Sequence, residues 1–246
     1  MGMGVLCLAE TNVNWSDSHI YQTYKNLAKK IWRHTTFITS HTKEHHPELP
    51  TTQKDPFLGG RKPGGTLTML CNNWTSRICE RGVDPYGLGQ WTYCTLRGTT
   101  GVKILLVTAY RVCAQTLASA GPTTSTAQQS RVLSQKFREA DYIEDPKPRL
   151  QFIVDLQAWL EHKSANGSST ANFTPLNYTL EQPIPTRNHD GSLATLTHTC
   201  GLCDPLVLQH SEQPPPPTYN RGKQCIDYIL VSSSLFPSVQ RSGLLP

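Results

Sequence analysis

The sequence predicts an α/β fold in which strands and helices alternate along 246 residues. One observation is a set of short apolar runs without alternation, which are typical of strands covered on both faces. A second is a set of segments whose apolar residues lie three or four positions apart, as in amphipathic helices. The third is a pair of strand-like segments on either side of a glycine-bounded turn, which indicates a hairpin. We expect one domain over 1–246, with an irregular segment at 163–190 that is rich in Ser, Thr, Asn and Pro.

The first predicted strand is the apolar run GVLCLAE at 4–10, which ends on the carboxylate of Glu10. The sequence Ser-Asp-Ser at 16–18 then supplies the N-cap of a helix. The apolar face of that helix consists of Ile20, Tyr24, Leu27 and Ile31. The following stretch, 39–65, is polar and predicts a loop, in which we expect three solvated histidines: His41, His45 and His46.

A β-rich block follows this loop. The segments 65–71 and 91–96 alternate between apolar and polar residues, and the turn 97–101 leads into the apolar segment 102–110. This pattern predicts an antiparallel meander. Further elements are expected along the rest of the chain: helices at 126–139, 148–162 and 192–199, and a buried strand at 225–231.

Composition and charge restrict the functional class. The formal net charge is +5, which is compatible with a polyanionic partner such as nucleic acid. No apolar run approaches the ~20 residues that a membrane-spanning helix needs. The N-terminus lacks the basic and apolar regions of a signal peptide, so we expect an intracellular protein, nuclear or cytoplasmic, whose eight cysteines are reduced. We expect no membrane association and infer no obligate protein partner.

Three polar side chains at strand positions are the best candidates for chemistry. Glu10 ends one strand, Asp227 lies within another, and Tyr110 ends the most apolar strand. Taken singly, each could be a strand end in contact with solvent, part of a structural ion pair or a packing residue. Together they suit phosphoryl chemistry, because a carboxylate can hold Mg²⁺, a phenol can donate to a phosphate oxygen, and a second carboxylate can orient a base.

Two other motifs carry weaker signals. Cys200 and Cys203 form a CxxC with His198 and His210 nearby, but no second CxxC supplies the remaining ligands of a typical structural zinc site. The segment GGRKPGG at 59–65 lacks the GK[ST] of a phosphate-binding loop, although its basic residues could contact a phosphate backbone.

The order of the motifs resembles the endonuclease/exonuclease/phosphatase superfamily, which includes abasic-site endonucleases, deoxyribonucleases and the nicking domains of non-LTR retrotransposons. The resemblance rests on CLAETN, GGTLTML, the hairpin ending in KILLVTAYR, CGLCD and CIDYILVS, in that order. It implies a four-layer sandwich of two packed mixed β-sheets flanked by helices, incomplete in this chain. It also implies a phosphodiesterase that depends on Mg²⁺ or Mn²⁺, with DNA as the expected substrate and partner.

The resemblance also implies roles for individual residues. Glu10 matches the metal-binding glutamate, Tyr110 the tyrosine that contacts the scissile phosphate, and Asp227 the aspartate that orients the catalytic histidine. Asn177 matches the asparagine of an Asp-x-Asn motif whose aspartate is replaced by proline here. Asp190 is a possible substitute for that carboxylate.

Several superfamily motifs have no counterpart in the sequence: an Asn on a strand before CLAET, the Asp of Asp-x-Asn, and a Ser-Asp-His near the end. We therefore expect a degenerate, truncated site with weakly bound metal and weak or no activity, because loss of a single group typically lowers a rate ~10²–10⁴-fold. The alternatives are a catalytically inactive relative that binds nucleic acid or a protein partner, and a non-functional gene fragment.

Overall fold

The computed structural model describes residues 4–43, 62–98, 101–113, 121, 123–141, 145–165, 169–174, 193–211 and 228–243, and of 169–174 only the backbone. Nine strands are assigned within these ranges: β1 (Val5–Ala9), β2 (Thr35–Ser40), β3 (Thr66–Cys71), β4 (Ile78–Val83), β5 (Trp91–Arg97), β6 (Lys103–Ala109), β7 (Ser169–Thr174), β8 (Leu202–Cys203) and β9 (Tyr228–Ser232). The α-helices are α1 (Ser18–Ile31), α2 (Ser125–Glu139), α3 (Pro148–Ala165), α4 (Leu193–Thr199) and α5 (Pro205–Gln209). None of these described helices is both long enough and apolar enough to span a bilayer.

The strands form two sheets. The smaller has the order β1-β3-β2 and is antiparallel throughout, so that β1 and β2 run in the same direction. The larger has the order β4-β5-β6-β7-β9-β8 and is mixed, because β6 and β7 are parallel whereas its other neighbours are antiparallel. The predicted hairpin is confirmed, with Arg97 opposite Lys103 at its turn end.

Side-chain alternation along the strands separates three apolar clusters and so produces four layers. One cluster lies between α1 and the outer face of the small sheet and contains Trp15, Ala28, Phe37 and Met69. The second lies between the sheets and contains Ile38, Leu70, Cys94, Leu96 and Leu106. The third joins the large sheet to α3 and α4 and includes Trp91, Leu105, Phe152, Leu156 and Leu196. The predicted α/β sandwich is therefore confirmed.

Three threonines link the two sheets through their hydroxyl groups. Thr68 Oγ1 on β3 lies 2.8 Å from Thr92 Oγ1 on β5 and 2.6 Å from Thr108 Oγ1 on β6. All three side chains are buried. A buried hydroxyl is tolerated when it is hydrogen-bonded, and this triad therefore fixes the relative position of the sheets where apolar contacts alone would allow them to slide.

The structure differs from the sequence-based expectations in three places. Strands β2 and β4 lie in segments for which no strand was predicted. β7 forms within the polar segment that was expected to be irregular, because β6 and β9 flank it and supply its backbone hydrogen-bond partners. β1 was expected to be covered on both faces, yet its Leu8 is 42% exposed. The extent of the domain remains a prediction.

Candidate active site

The two described candidate residues come together at one edge of the sandwich. Glu10 directly follows β1, and Tyr110 directly follows β6. The Tyr110 side chain is hydrogen-bonded to the Glu10 carboxylate and to Ser125, the first residue of α2. The structure thus brings a strand-end acid of the small sheet into contact with a strand-end phenol of the large sheet.

The turn after β1 is held in an unusual backbone conformation. Glu10 and Asn12 have positive φ angles of 52° and 53°, which are uncommon for residues other than glycine. Asn12 compensates through its side chain, whose Oδ1 accepts the Gly64 N–H at 3.0 Å, and its own N–H donates to the Gly64 carbonyl at 2.9 Å. Thr11 N–H donates to the Gly65 carbonyl at 3.1 Å. The strained turn is therefore fixed by the glycines that precede β3, and it presents Glu10 exposed to solvent.

Tyr110 is a buried, protonated phenol. Its side chain is 3% exposed. Burial raises the pKa of Tyr110 well above its usual value, and the negative charge of Glu10 raises it further. Because the phenol stays neutral, its O–H can donate to Glu10 while its oxygen accepts from the Ser125 hydroxyl. Such a group can act as a hydrogen-bond donor to an anion and is unsuited to act as a base at neutral pH.

A buried amide network positions the backbone of Tyr110. The Tyr110 N–H donates to the Gln90 carbonyl at 2.7 Å. Gln90 Nε2 donates to Gln129 Oε1 on α2 at 3.2 Å, and Gln129 Nε2 donates to the Leu88 carbonyl at 3.0 Å. Both glutamine side chains are almost completely buried. The segment 84–90 is therefore clamped between α2 and the strand end that carries Tyr110.

Asp84 holds the segment 84–90 in its conformation through hydrogen bonds to the backbone of that segment. Its carboxylate accepts three backbone N–H groups, those of Tyr86 at 2.7 Å, Leu88 at 2.8 Å and Gln90 at 3.2 Å. Burial raises the pKa of Asp84, and these three hydrogen bonds oppose the rise. Asp84 therefore serves as a structural acceptor, one that sequence inspection did not single out.

Two arginines lie near the candidate centre, Arg111 directly after Tyr110 and Arg149 on α3. Burial is the main reason why the pKa of the Cys113 thiol is raised. The negative charge of Glu10 raises this pKa further, and the positive charge of Arg149 opposes the rise. The guanidinium of Arg149 donates to the Val112 carbonyl at 2.8 Å. Arg111 is 5% exposed and donates from Nε to the Arg149 carbonyl at 3.2 Å. Arg111, directly after Tyr110, and Arg149, on α3, are therefore held by hydrogen bonds to backbone carbonyls.

The donor chemistry fits a weakly held Mg²⁺. Glu10 offers exposed carboxylate oxygens, and Mg²⁺ in proteins commonly keeps several waters and uses only one or two carboxylates. Within the ranges that the structure describes, no three His, Cys, Asp or Glu side chains are grouped as a metal site. Glu10 would therefore hold such an ion together with solvent. Cys200 and Cys203 likewise form no such group among these residues.

The remaining predicted site residues, Asp227 and Asn177, lie outside the described residues, as does Asp190. Their assignment stays a prediction. Sequence inspection missed Ser125, Gln90 and Gln129, which were hidden in a predicted helix and loop. The run of polar residues at the start of α2 was the available signal, because a helix that buries Ser, Thr and Gln must pair them with something.

Comparison with solved structures identifies the fold. The chain is similar to the AP endonuclease LMAP from Leishmania major, with a TM-score of 0.58 and 13% sequence identity, over 95% of this chain and 71% of that one. This is the fold of the endonuclease/exonuclease/phosphatase superfamily. The predicted resemblance to the superfamily is therefore confirmed at the level of the fold. No family model and no curated protein matches the sequence.

Two further solved structures are similar at lower scores. The human Nocturnin catalytic domain has a TM-score of 0.47 and 15% identity, over 94% of this chain and 69% of that one. The endonuclease domain of TRAS1, a telomere-specific non-LTR retrotransposon, has a TM-score of 0.41 and 10% identity, over 94% of this chain and 87% of that one.

Proposed function

We propose that the Glu10–Tyr110 edge is a phosphodiester-binding centre for nucleic acid that hydrolyses DNA slowly in the presence of Mg²⁺ or Mn²⁺. The observation that carries the proposal is the contact between an exposed strand-end carboxylate and a buried neutral phenol. The fold shared with the AP endonuclease LMAP supports it. The formal net charge of +5 favours a polyanionic ligand.

The chain's own residues supply binding and orientation. Glu10 would hold the metal ion, which when bound neutralises charge on a phosphodiester. The Tyr110 hydroxyl is hydrogen-bonded to Ser125 and is kept protonated by burial and by the negative charge of Glu10, and it would donate its hydrogen bond to a phosphate oxygen that approaches Glu10. Arg111, directly after Tyr110, and Arg149, on α3, add positive charge held by hydrogen bonds to backbone carbonyls.

The expected rate is low because proton transfer is poorly provided for. The Asp-x-Asn motif of the superfamily, whose aspartate positions the nucleophile, is matched in this sequence by Pro-Leu-Asn at 175–177. A site that keeps charge stabilisation but lacks a general base retains binding and loses most of its rate. We therefore propose that the chain still binds nucleic acid although it cleaves it only slowly.

A nicking assay on supercoiled plasmid with Mg²⁺ tests this proposal. We expect slow nicking that stops on addition of a chelator and falls at least 10²-fold in Glu10→Gln. Glu139→Gln, which changes an exposed carboxylate at the end of α2, is the matched control and should nick at the wild-type rate. Equal nicking by Glu10→Gln and wild type would refute the assignment of Glu10.

A second measurement covers the case of undetectable cleavage. Mn²⁺ is paramagnetic and broadens NMR signals near its binding site. We expect it to broaden the amide signals of residues 10–12 in the wild type and not in Glu10→Gln. Binding of duplex DNA without metal binding at this turn would favour the non-catalytic alternative.

A further inference from the structure

A second charged cluster adjoins the candidate centre at the end of β2. Because β1 and β2 are both antiparallel to β3, they run in the same direction, and the residues that follow them share one edge of the sheet. Glu10 follows β1, and His41 follows β2. Lys62 is tied to this edge as well, since its N–H donates to the Asn12 carbonyl at 3.2 Å.

The backbone at 41–43 is firmly held. Thr42 forms a β-bridge with Leu88 and donates from Oγ1 to the Leu88 carbonyl at 3.1 Å. The Lys43 N–H donates to the Gly87 carbonyl at 2.8 Å. Gly89 lies so close that a Cβ there would be 2.4 Å from the carbonyl carbon of His41. The segment is therefore wedged between the small sheet and the clamped segment 84–90.

The His41 ring is also fixed. Its Nε2 lies 2.6 Å from Ser16 Oγ. Its Nδ1 is buried and has no hydrogen-bond partner among the described residues. Burial is the main cause, and the charges of Lys62 and Lys43 a further cause, of a His41 pKa near 4. The charged groups that act on this imidazole are thus two lysines, one that follows β2 closely and one that precedes β3.

The positive charges of both lysines act on the neutral His41 ring, and two such charges together attract an anion. The aliphatic part of Lys43 extends along Gly87, with Cβ, Cγ and Cδ 3.6–4.0 Å from the position that a Gly87 Cβ would occupy. This contact orients the exposed Lys43 side chain. A cation that is held in place by its stem loses less entropy on binding a phosphate than one that moves freely.

We propose that Lys43 and Lys62, whose backbones are fixed at the edge of the sheet where His41 lies, form a subsite for a backbone phosphate of a nucleic-acid strand that crosses the Glu10–Tyr110 centre. The proposal rests on the proposed nucleic-acid function and extends it along the strand. Phosphate contacts of this kind position the strand without reading its sequence. The pKa of His41 should rise when an anion binds here, because the anion offsets the repulsion by which the two lysines oppose protonation of the imidazole.

NMR titration of the histidine side chains tests the subsite without metal or cleavage. In a chelator at low salt, a short DNA duplex should raise the His41 pKa from about 4 to 5 or above. The exposed His19 on α1 is the control, and its ring signals should not change when the duplex is added. In the free protein, Lys43→Gln and Lys62→Gln should each raise the His41 pKa, because each removes one repelling charge.

Binding measurements complete the test. Each lysine variant should weaken duplex binding about 3- to 10-fold and lower the slope of log affinity against log salt by about 1. Lys29→Gln, on the exposed face of α1, is the matched control, and its loss of affinity should be smaller.

Three outcomes would overturn the subsite: no duplex binding, duplex binding that leaves the His41 pKa unchanged, or a response to inorganic phosphate that the duplex does not reproduce. Nicking of DNA with an unresponsive His41 would reject the subsite and keep the proposed hydrolase. A His41 pKa that rises on duplex binding, without any Mg²⁺-dependent nicking, would keep the subsite and reject the proposed hydrolase.

Discussion

Replacement of Asp155 by Asn should stabilise the protein at neutral pH. Asp155 lies on α3, is 7% exposed and accepts a hydrogen bond from Gln151 Nε2 at 2.7 Å. Burial, and next the negative charge of Asp84, raises its pKa from 3.8 to about 6, while Gln151 and Lys136 oppose the rise. A raised pKa means that ionisation is less favourable in the folded state than in the unfolded chain.

The sign and size of the effect follow from this pKa. The stability contributed by protonated Asp155 is fully present below pH 3.8 and is lost as the pH rises through about 6. The difference between these pKa values corresponds to about 3 kcal/mol. Asn cannot ionise and keeps an oxygen for Gln151, although the hydrogen bond to a neutral acceptor is weaker. We therefore expect Asp155→Asn to raise the free energy of unfolding by about 2 kcal/mol at pH 7.5 and to leave it nearly unchanged at pH 4.5.

Urea unfolding followed by tryptophan fluorescence at both pH values provides the measurement. The matched control is Glu161→Gln, on the same helix, where an exposed carboxylate accepts from Gln157 in the same i, i+4 arrangement at 3.0 Å. It should change the free energy of unfolding by less than ~0.5 kcal/mol at either pH. Destabilisation by Asp155→Asn at pH 7.5 would refute the reasoning, since it would show that the ionised carboxylate makes a net favourable pair with Lys136.

Further predictions concern the sheet interface, one glycine and the thiols. Thr68→Val should lower the free energy of unfolding by about 1–3 kcal/mol in urea melts, because it leaves two buried hydroxyls without their partner, and an unchanged midpoint would contradict this role. Gly89→Ala should be more destabilising than Gly101→Ala: both glycines have positive φ, but only at Gly89 would a Cβ meet the backbone of His41, so equal losses would argue against the wedge. In the native protein a thiol reagent should label exposed Cys79 rapidly and buried Cys94, whose pKa is raised to about 12, only after unfolding; equal labelling rates would show that the sheets open.

The elements that the sequence predicted well are those with a strong local period. A helix was confirmed as α1 where apolar residues recur at three- and four-residue spacing, and Asp17 within the predicted cap accepts the N–H groups of His19 and Ile20. The apolar face predicted for it was wrong, because Tyr24, Leu27 and Ile31 are 45%, 52% and 72% exposed, whereas Ala28 is buried against the small sheet. The way the helix docks on the sheet decides which of its faces is buried, and the spacing of its apolar residues does not. The hairpin of β5 and β6 was confirmed because its alternation and its turn residues agree. β7 was not predicted, since a strand of STANFT owes its pairing to neighbours from distant parts of the chain.

Part of the candidate site was also visible in the sequence. A carboxylate at the end of an apolar strand and a tyrosine at the end of another are local patterns, and the structure places Glu10 and Tyr110 in contact. The role of His41 was not visible, because the same residue was expected to be solvated in a polar loop. Its burial results from the approach of 84–90 and of Ser16, neither of which lies near it in the sequence.

The sequence by itself determined the α/β class, most element positions and the two residues at the centre, because each depends on a short-range period or on a residue at a strand end. Only the tertiary structure decided that Ser125, Gln90 and Gln129 orient Tyr110 and that the charges of two lysines act on His41. These relations join positions tens of residues apart, and their energies arise from burial and fixed distance. Neither quantity is encoded in the local order of amino acids; both appear when the two sheets and α2 are packed together.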